Sequence, residues 1–164
     1  MRDDSRKWDT IPDFDQPLSG AGVTVSRVIP ACQTLISAPD VLLRHPGALG
    51  WPDVGSGDSY ALCLRRDRVL EVGGPARPEG WDGTQAISDI TDGLIVVQID
   101  GDGALPLLCR GAEISFDQPS RSVVRAVFGM ELMVYRHGAG IRLHVARGQA
   151  AGLWQTLAAH IASL

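Results

Sequence analysis

Ala150, Leu153, Trp154, Leu157 and Ile161 fall at i, i+3, i+4, i+7 and i+11, one apolar stripe at helical period. A helix with a single apolar face must lie on a surface that the rest of the chain supplies. That surface is predicted just upstream. Val123 to Tyr135 and Ile141 to Val145 read as two strands, joined as a hairpin at Gly138 and Gly140. Ala86 to Asp100 is also strongly β-like, around Leu94, Ile95, Val96, Val97 and Ile99. A short helix, Ala104 to Arg110, follows it. Asp102 is the expected cap, Pro106 is confined to the first turn and Gly111 is the stop.

The first half is read as strand, helix and hairpin. Val23, Val25, Val28, Ile29 and Leu35 predict one or two strands broken at Pro30. Ser37 is the expected cap of a short helix holding Val41, Leu42 and Leu43, with Pro46 ending it. Tyr60 to Val72 predicts a hairpin around Arg65 to Arg68. Residues 1–20 are polar, carry Pro12 and Pro17, and are expected to be a mobile arm or an extended strap. Residues 21–164 are then one α+β domain, antiparallel sheets with helices on one face. Two half-domains are expected within it, about 21–80 and 84–164, divided at the Gly- and Pro-rich loop Gly73 to Gly83.

A length of 164 residues suits one ordinary domain. The longest aliphatic run, Leu94 to Val97, is far too short for a transmembrane helix, so no membrane partner is expected. Five acidic residues fall in the first 15 positions, without an apolar stretch among them, so no secretory or mitochondrial-type leader is expected. A net charge of -4 opposes nucleic-acid binding. Cys32, Cys63 and Cys109 stand apart with no CxxC pair, which predicts a reducing, cytoplasmic setting rather than a disulfide frame or zinc knuckle.

The sequence carries no GxSxG or phosphate-loop motif. Gly101 and Gly103 lie between a strand and a helix, but the third glycine of a dinucleotide fingerprint is Pro106. His137 and His144 flank the hairpin and read as ordinary surface or hairpin histidines. His45 lies beside Pro46 in a loop, and His160 suits the C-terminal end of the last helix. Asp89, Asp92, Asp100 and Asp102 read as turn and cap residues; a cation site or a general base is the alternative. Trp154 belongs to the helix stripe. Trp51 and Trp81 lie in Gly- and Pro-rich loops, where they are either local anchors or interface hot spots. No catalytic, cofactor-binding or metal-binding residue is expected.

The segment Ile87-Ser-Asp-Ile-Thr-Asp-Gly93, the strand to Ile99, then Gly101, Ala104, Leu107-Leu108 and Gly111 resembles the gamma subunit of heterotetrameric sarcosine oxidase. The later hairpin and the terminal helix fit that family's order, so the resemblance covers about residues 86–164. Where the family has a G-P-D-E-W strand, this chain has Leu64-Arg-Arg-Asp-Arg-Val69, which leaves the amine open. The resemblance implies a cut-down relative of the folate-binding aminomethyltransferase fold, built of two similar half-domains. It implies a non-catalytic structural subunit that braces the alpha subunit in a complex with alpha, beta and delta chains. FAD, FMN and tetrahydrofolate are then expected on the partners. The complex oxidatively demethylates an N-methyl amine and passes the one-carbon unit to tetrahydrofolate. Trp51 and Trp81 are the expected interface residues. The alternative is a free-standing folate-binding one-carbon transfer protein, with Asp89 or Asp92 as the buried carboxylate that grips a pterin. A small interaction domain outside one-carbon chemistry is the third reading.

Overall fold

The computed structural model describes residues 11–113 and 115–163. Trp8 and the first half of the predicted arm lie outside them. Among the described residues, twelve strands form two sheets. Their order along the chain begins β1 (Leu18–Gly20), β2 (Val23–Val28), β3 (Gln33–Ser37), helix α1 (Val41–Arg44) and β4 (Val54–Gly55). The hairpin β5 (Tyr60–Arg65) and β6 (Arg68–Val72) follows, then β7 (Gly80–Trp81), β8 (Ala86–Asp89) and β9 (Leu94–Asp100). Helix α2 (Ala104–Cys109) leads to β10 (Val124–Val127), β11 (Met130–His137), β12 (Gly140–Ala146) and the terminal helix α3 (Ala150–Ala162). The larger sheet runs β1-β2-β9-β12-β11-β10, with β4 added parallel to β11. The smaller runs β5-β6-β3-β8-β7, and all other pairings are antiparallel.

Strand alternation assigns each sheet two buried faces. Ile95, Val97 and Ile99 of β9 and Ile141, Leu143 and Val145 of β12 face α2 and α3, in one core with Leu107, Leu153, Trp154 and Leu157. The opposite face of the same sheet, with Tyr135, Met133 and Leu94, packs on Leu62, Leu70 and Val72 of the smaller sheet. The far side of the smaller sheet, with Ile36, Cys63 and Val69, is covered by Val41 and Ala48. The fold is therefore α+β and layered: α1, small sheet, large sheet, then α2 and α3. Helices cover one face of each sheet.

The predicted stripe of α3 is buried at every position: Ala150, Leu153, Trp154, Leu157 and Ile161. Other boundaries differ from expectation. The β-like run 86–100 is two strands in different sheets, separated by a 3-10 turn at Thr91–Gly93 that carries the chain across. Val123 to Tyr135 is not one strand. Phe128 and Gly129 take φ of 54° and 71°, the two left-handed positions of a tight hairpin turn, and β10 folds back on β11 there. Neither expected cap forms: Ser37 ends β3, and the N-cap position of α2 is Gly103, with no side-chain cap from Asp102.

The described part of the arm is a strap. Leu18–Gly20 pairs with β2, and the Phe14 ring meets Trp154 edge-on at 5.3 Å. The loop 73–83 does not separate the sheets either. Within it, β7 pairs with β8 of the same sheet, while the chain crosses between sheets at Ile29–Cys32, on either side of β4 and at Thr91–Gly93.

Leu153 is 1% exposed under α3. Leu153→Ala is expected to cost about 3 kcal/mol. In urea unfolding this is a lower midpoint at unchanged m.

Candidate functional site

The faces that the two sheets turn toward each other are not wholly apolar. Gln33 of β3, Tyr60 of β5, Tyr135 of β11 and Arg142 and His144 of β12 meet in the layer between them. Gln33 and His144 are 1% exposed and Tyr135 is 0% exposed. Gln33 Nε2 donates to the Thr91 carbonyl at 3.3 Å, which leaves its Oε1 to accept from His144 Nδ1 at 2.7 Å. His144 Nε2 then accepts from the Tyr135 hydroxyl at 2.8 Å. Tyr135 in turn accepts from the Tyr60 hydroxyl at 2.7 Å, and Tyr60 accepts from Arg142 Nη1 at 2.9 Å. Both ends force the same direction, because a guanidinium only donates and a carbonyl only accepts. The result is one polarised chain of hydrogen bonds from Arg142 to Thr91, linking the sheets.

The chain requires His144 to be neutral, since its Nε2 must accept. Burial, and secondarily the Arg142 charge, push the His144 pKa down to about 3 from its ordinary 6.5. Burial also raises Tyr135, reinforced by Tyr60, so its phenol stays protonated. His144 is thus not the surface histidine that the hairpin pattern suggests. Residues 141–145 alternate apolar and polar, like a strand with one wet face. Here the second sheet covers that face.

Each end of the chain opens on a cavity beside the crossing peptide Ile29–Pro30. At the Arg142 end a cavity of ≈ 270 Å³ is bounded by Val28, Ile29, Ala31, Asp58, Val72 and Gly73. At the Gln33 end a smaller one, ≈ 90 Å³, lies against Arg27, Thr91, Asp92 and Arg147. Among the described residues no group of three or more His, Cys, Asp and Glu is placed to hold a metal ion. No described helix is long and apolar enough to cross a membrane.

The other singled-out residues have local partners. Asp89 accepts from Thr91 N at 2.9 Å and from Thr91 Oγ1 at 2.6 Å, and these bonds hold its carboxyl below the ordinary range. Asp92 stands in solvent, 3.4 Å from Arg147 Nη2. Neither is the buried carboxylate that a pterin site needs. His137 bonds the Gly57 carbonyl, His45 meets Glu71 at 3.0 Å, and His160 lies against the Phe128 ring.

The two loop tryptophans part company. Trp51 is 2% exposed; its indole donates to the Phe116 carbonyl at 2.6 Å, packs on the Phe116 ring and lies under Arg136. It is a core anchor of this chain and leaves almost no surface for a partner, which corrects its place among the interface residues. Trp81 is 66% exposed on the edge strand β7.

Neither a family model nor a curated protein matches the chain. Among solved structures, it is similar to a chain of heterotetrameric sarcosine oxidase from Corynebacterium sp. U-96, a structure in complex with pyrrole 2-carboxylate. The two share 16% identity at a TM-score of 0.66, over 90% of this chain and 88% of that one. The fold of this chain is therefore one used within that oxidase.

The unfolded chain binds a proton at His144 below pH 6.5, whereas the folded chain excludes it until about pH 3. Stability contributed by His144 is therefore complete above pH 6.5 and lost as pH falls through that window. The slope is expected to approach ~1.4 kcal/mol per pH unit. The lowered carboxyls of Asp82 and Asp89 act once pH falls toward and below their ordinary 3.8, so the interval from pH 6 to about 5 separates them from His144. Urea midpoints across that interval should fall with pH in the native chain and flatten in His144→Gln. An equal slope in the variant would show that His144 is not the proton acceptor.

Proposed function

We propose that this chain is the gamma-type, non-catalytic structural subunit of a sarcosine oxidase-type heterotetramer. The observation that supports it most is the fold likeness along nearly the whole of both chains, which makes them close in length as well as in architecture. The segment from Ile87 to Gly111 supports the same reading, because its motif resemblance points to that subunit. In this reading the chain braces the alpha subunit. Alpha and beta carry FAD, FMN and the tetrahydrofolate site. The complex oxidatively demethylates an N-methyl amine and passes the carbon to tetrahydrofolate, and the setting is cytoplasmic.

The docking residue on this chain is Trp81. Its strand is held from behind by pairing with β8, and Asp82 fastens the following turn by accepting from Thr84 N, Thr84 Oγ1 and Gln85 N. A large aromatic on a stiff edge loses little entropy on docking, which is the usual character of an interface hot spot. The folate-binding alternative is disfavoured by the exposure of Asp89 and Asp92.

Affinity purification of the chain from its native cells should recover a yellow complex with two larger flavoprotein chains and a small fourth chain. A colourless chain recovered alone would overturn the subunit reading.

The two tryptophans should separate in the same experiment. Trp81→Ala is expected to weaken subunit association by ~2 kcal/mol or more while leaving the unfolding midpoint near the native value. Trp51→Ala is expected to lower stability by about 3 kcal/mol through its lost packing. Unchanged assembly with Trp81→Ala would remove Trp81 from the interface.

A further inference from the structure

The two edges of the smaller sheet are finished differently. Beyond β5 the edge is closed: Leu49 N donates to the Ala61 carbonyl and Cys63 N to the Leu49 carbonyl, both at 2.8 Å, and Val123 N donates to the Cys63 carbonyl at 2.9 Å. At the other end, β7 lies beside β8 alone. Asp82 N donates to the Gln85 carbonyl at 3.2 Å, which closes the turn between these two strands. Trp81, one residue earlier, stands opposite Ala86. Bonded and non-bonded pairs alternate along an antiparallel ladder, so Trp81 holds a non-bonded position, and its own N–H and C=O point away from β8. They face an edge that no described strand occupies. The residue with the exposed indole therefore also presents an open backbone donor and acceptor.

Backbone groups on so short an edge do not select a partner, so the side chains must. Glu79 and Asp82 flank Trp81 along the chain, and Asp89 ends β8. All three are exposed, and among the described residues no cation pairs with any of them. Glu79 Oε1 accepts from Asp89 N at 2.7 Å, which ties its carboxylate to the end of β8. Asp82 is held by Thr84 and Gln85, whose hydrogen bonds keep its carboxyl below the ordinary range. The neighbouring arginines are already neutralised. Arg44, which reaches Thr84 Oγ1 and Gln85 Oε1, pairs with Asp40; Arg77 pairs with Glu71 and Arg147 with Asp92. The open edge is thus an aromatic among uncompensated carboxylates.

We propose, resting on the subunit reading, that the β7 edge receives an extended segment of a partner subunit bearing arginine or lysine, added as one more strand beside Trp81. The partner residue opposite Trp81 takes its open N–H and C=O, and that residue's side chain stands beside the indole. A guanidinium or ammonium placed there meets the aromatic face. Glu79 is two residues away, about 7 Å along the strand, and Asp82 is adjacent, so the cation also meets a counter-charge. An acidic or wholly apolar segment would leave the carboxylates facing the interface uncompensated, which selects against it. The shortness of β7 keeps off strands that lack these side-chain contacts.

The full-length chain and the subunits that copurify with it supply the test. Hydrogen exchange at the Trp81 amide should be fast in the free chain and slow by about tenfold or more in the complex, as a new ladder bond requires. Association of the native chain should weaken as sodium chloride rises from about 0.05 to about 0.5 M. Glu79→Gln, Asp82→Asn and Asp89→Asn each keep an acceptor oxygen and remove the charge, so the triple variant should fold. It should associate about tenfold or more weakly at low salt and lose most of the salt dependence. If it fails to fold, the exchange and salt measurements on the native chain carry the test. A complex that forms without slowing the Trp81 amide overturns the proposal and leaves the subunit reading standing. So does a complex whose affinity ignores salt or the triple variant. A chain recovered alone overturns the subunit reading, and the proposal with it.

Discussion

Everything in this fold that is not generic packing depends on how one sheet is seated on the other. The apolar contacts between them, such as Leu62, Leu70 and Val72 against Met133 and Leu94, are compatible with more than one relative placement. The polar chain is not. Gln33, Tyr60, Tyr135, Arg142 and His144 sit on four strands of two sheets, and each is tied to the next by a hydrogen bond. Slipping one strand by a single residue would turn its member of the chain to the opposite face and leave the others buried without partners. Each orphaned group would cost about 1 to 3 kcal/mol. The chain thus selects one register by making the alternatives expensive, a role for buried polar groups that differs from adding stability outright.

That arrangement explains which parts of the molecule were legible in the linear sequence. The α3 stripe was legible because a helix on one sheet face needs only local periodicity, and its five apolar positions are all buried. The turn between β11 and β12 was legible for the same reason. The inter-sheet layer was not. In β12 the polar residues Arg142 and His144 alternate with Ile141, Leu143 and Val145, a pattern that also describes a strand with one side in water. Nothing local reveals that a distant hairpin, Tyr60 to Val72, covers the polar side. The passage from β8 to β9 was hidden likewise. Both strands are β-like and nearly continuous, and the short Thr91–Gly93 turn that moves the chain between sheets looks like an ordinary Asp-Gly turn.

Trp51 and Trp81 show the same limit at single residues. Both occupy Gly- and Pro-rich stretches, and composition treats them alike. Trp51 is buried because the backbone at Ser120 pairs with it and Phe116 offers both a ring and a carbonyl, over sixty residues away in sequence. Trp81 is exposed because β7 ends its sheet, with no further strand beside it among the described residues. A two-residue edge strand is short enough to limit unwanted pairing. Its indole is nevertheless the kind of surface that association favours. The distinction is tertiary, and it is the reason only one of the two is available to a partner.

Arg142 belongs to both the inter-sheet chain and the wall of the adjoining cavity. Its Nη1 feeds the hydrogen bonds that end at Thr91, and its charge contributes to keeping His144 neutral. Burial is the larger cause of the lowered His144 pKa and the Arg142 charge the lesser. Arg142 and His144 are joined through the hydroxyls of Tyr60 and Tyr135. The coupling element is therefore a short, fully satisfied row of hydrogen bonds with a single direction. The same row sets the sheets on one another, which ties the cavity's shape to the integrity of the fold.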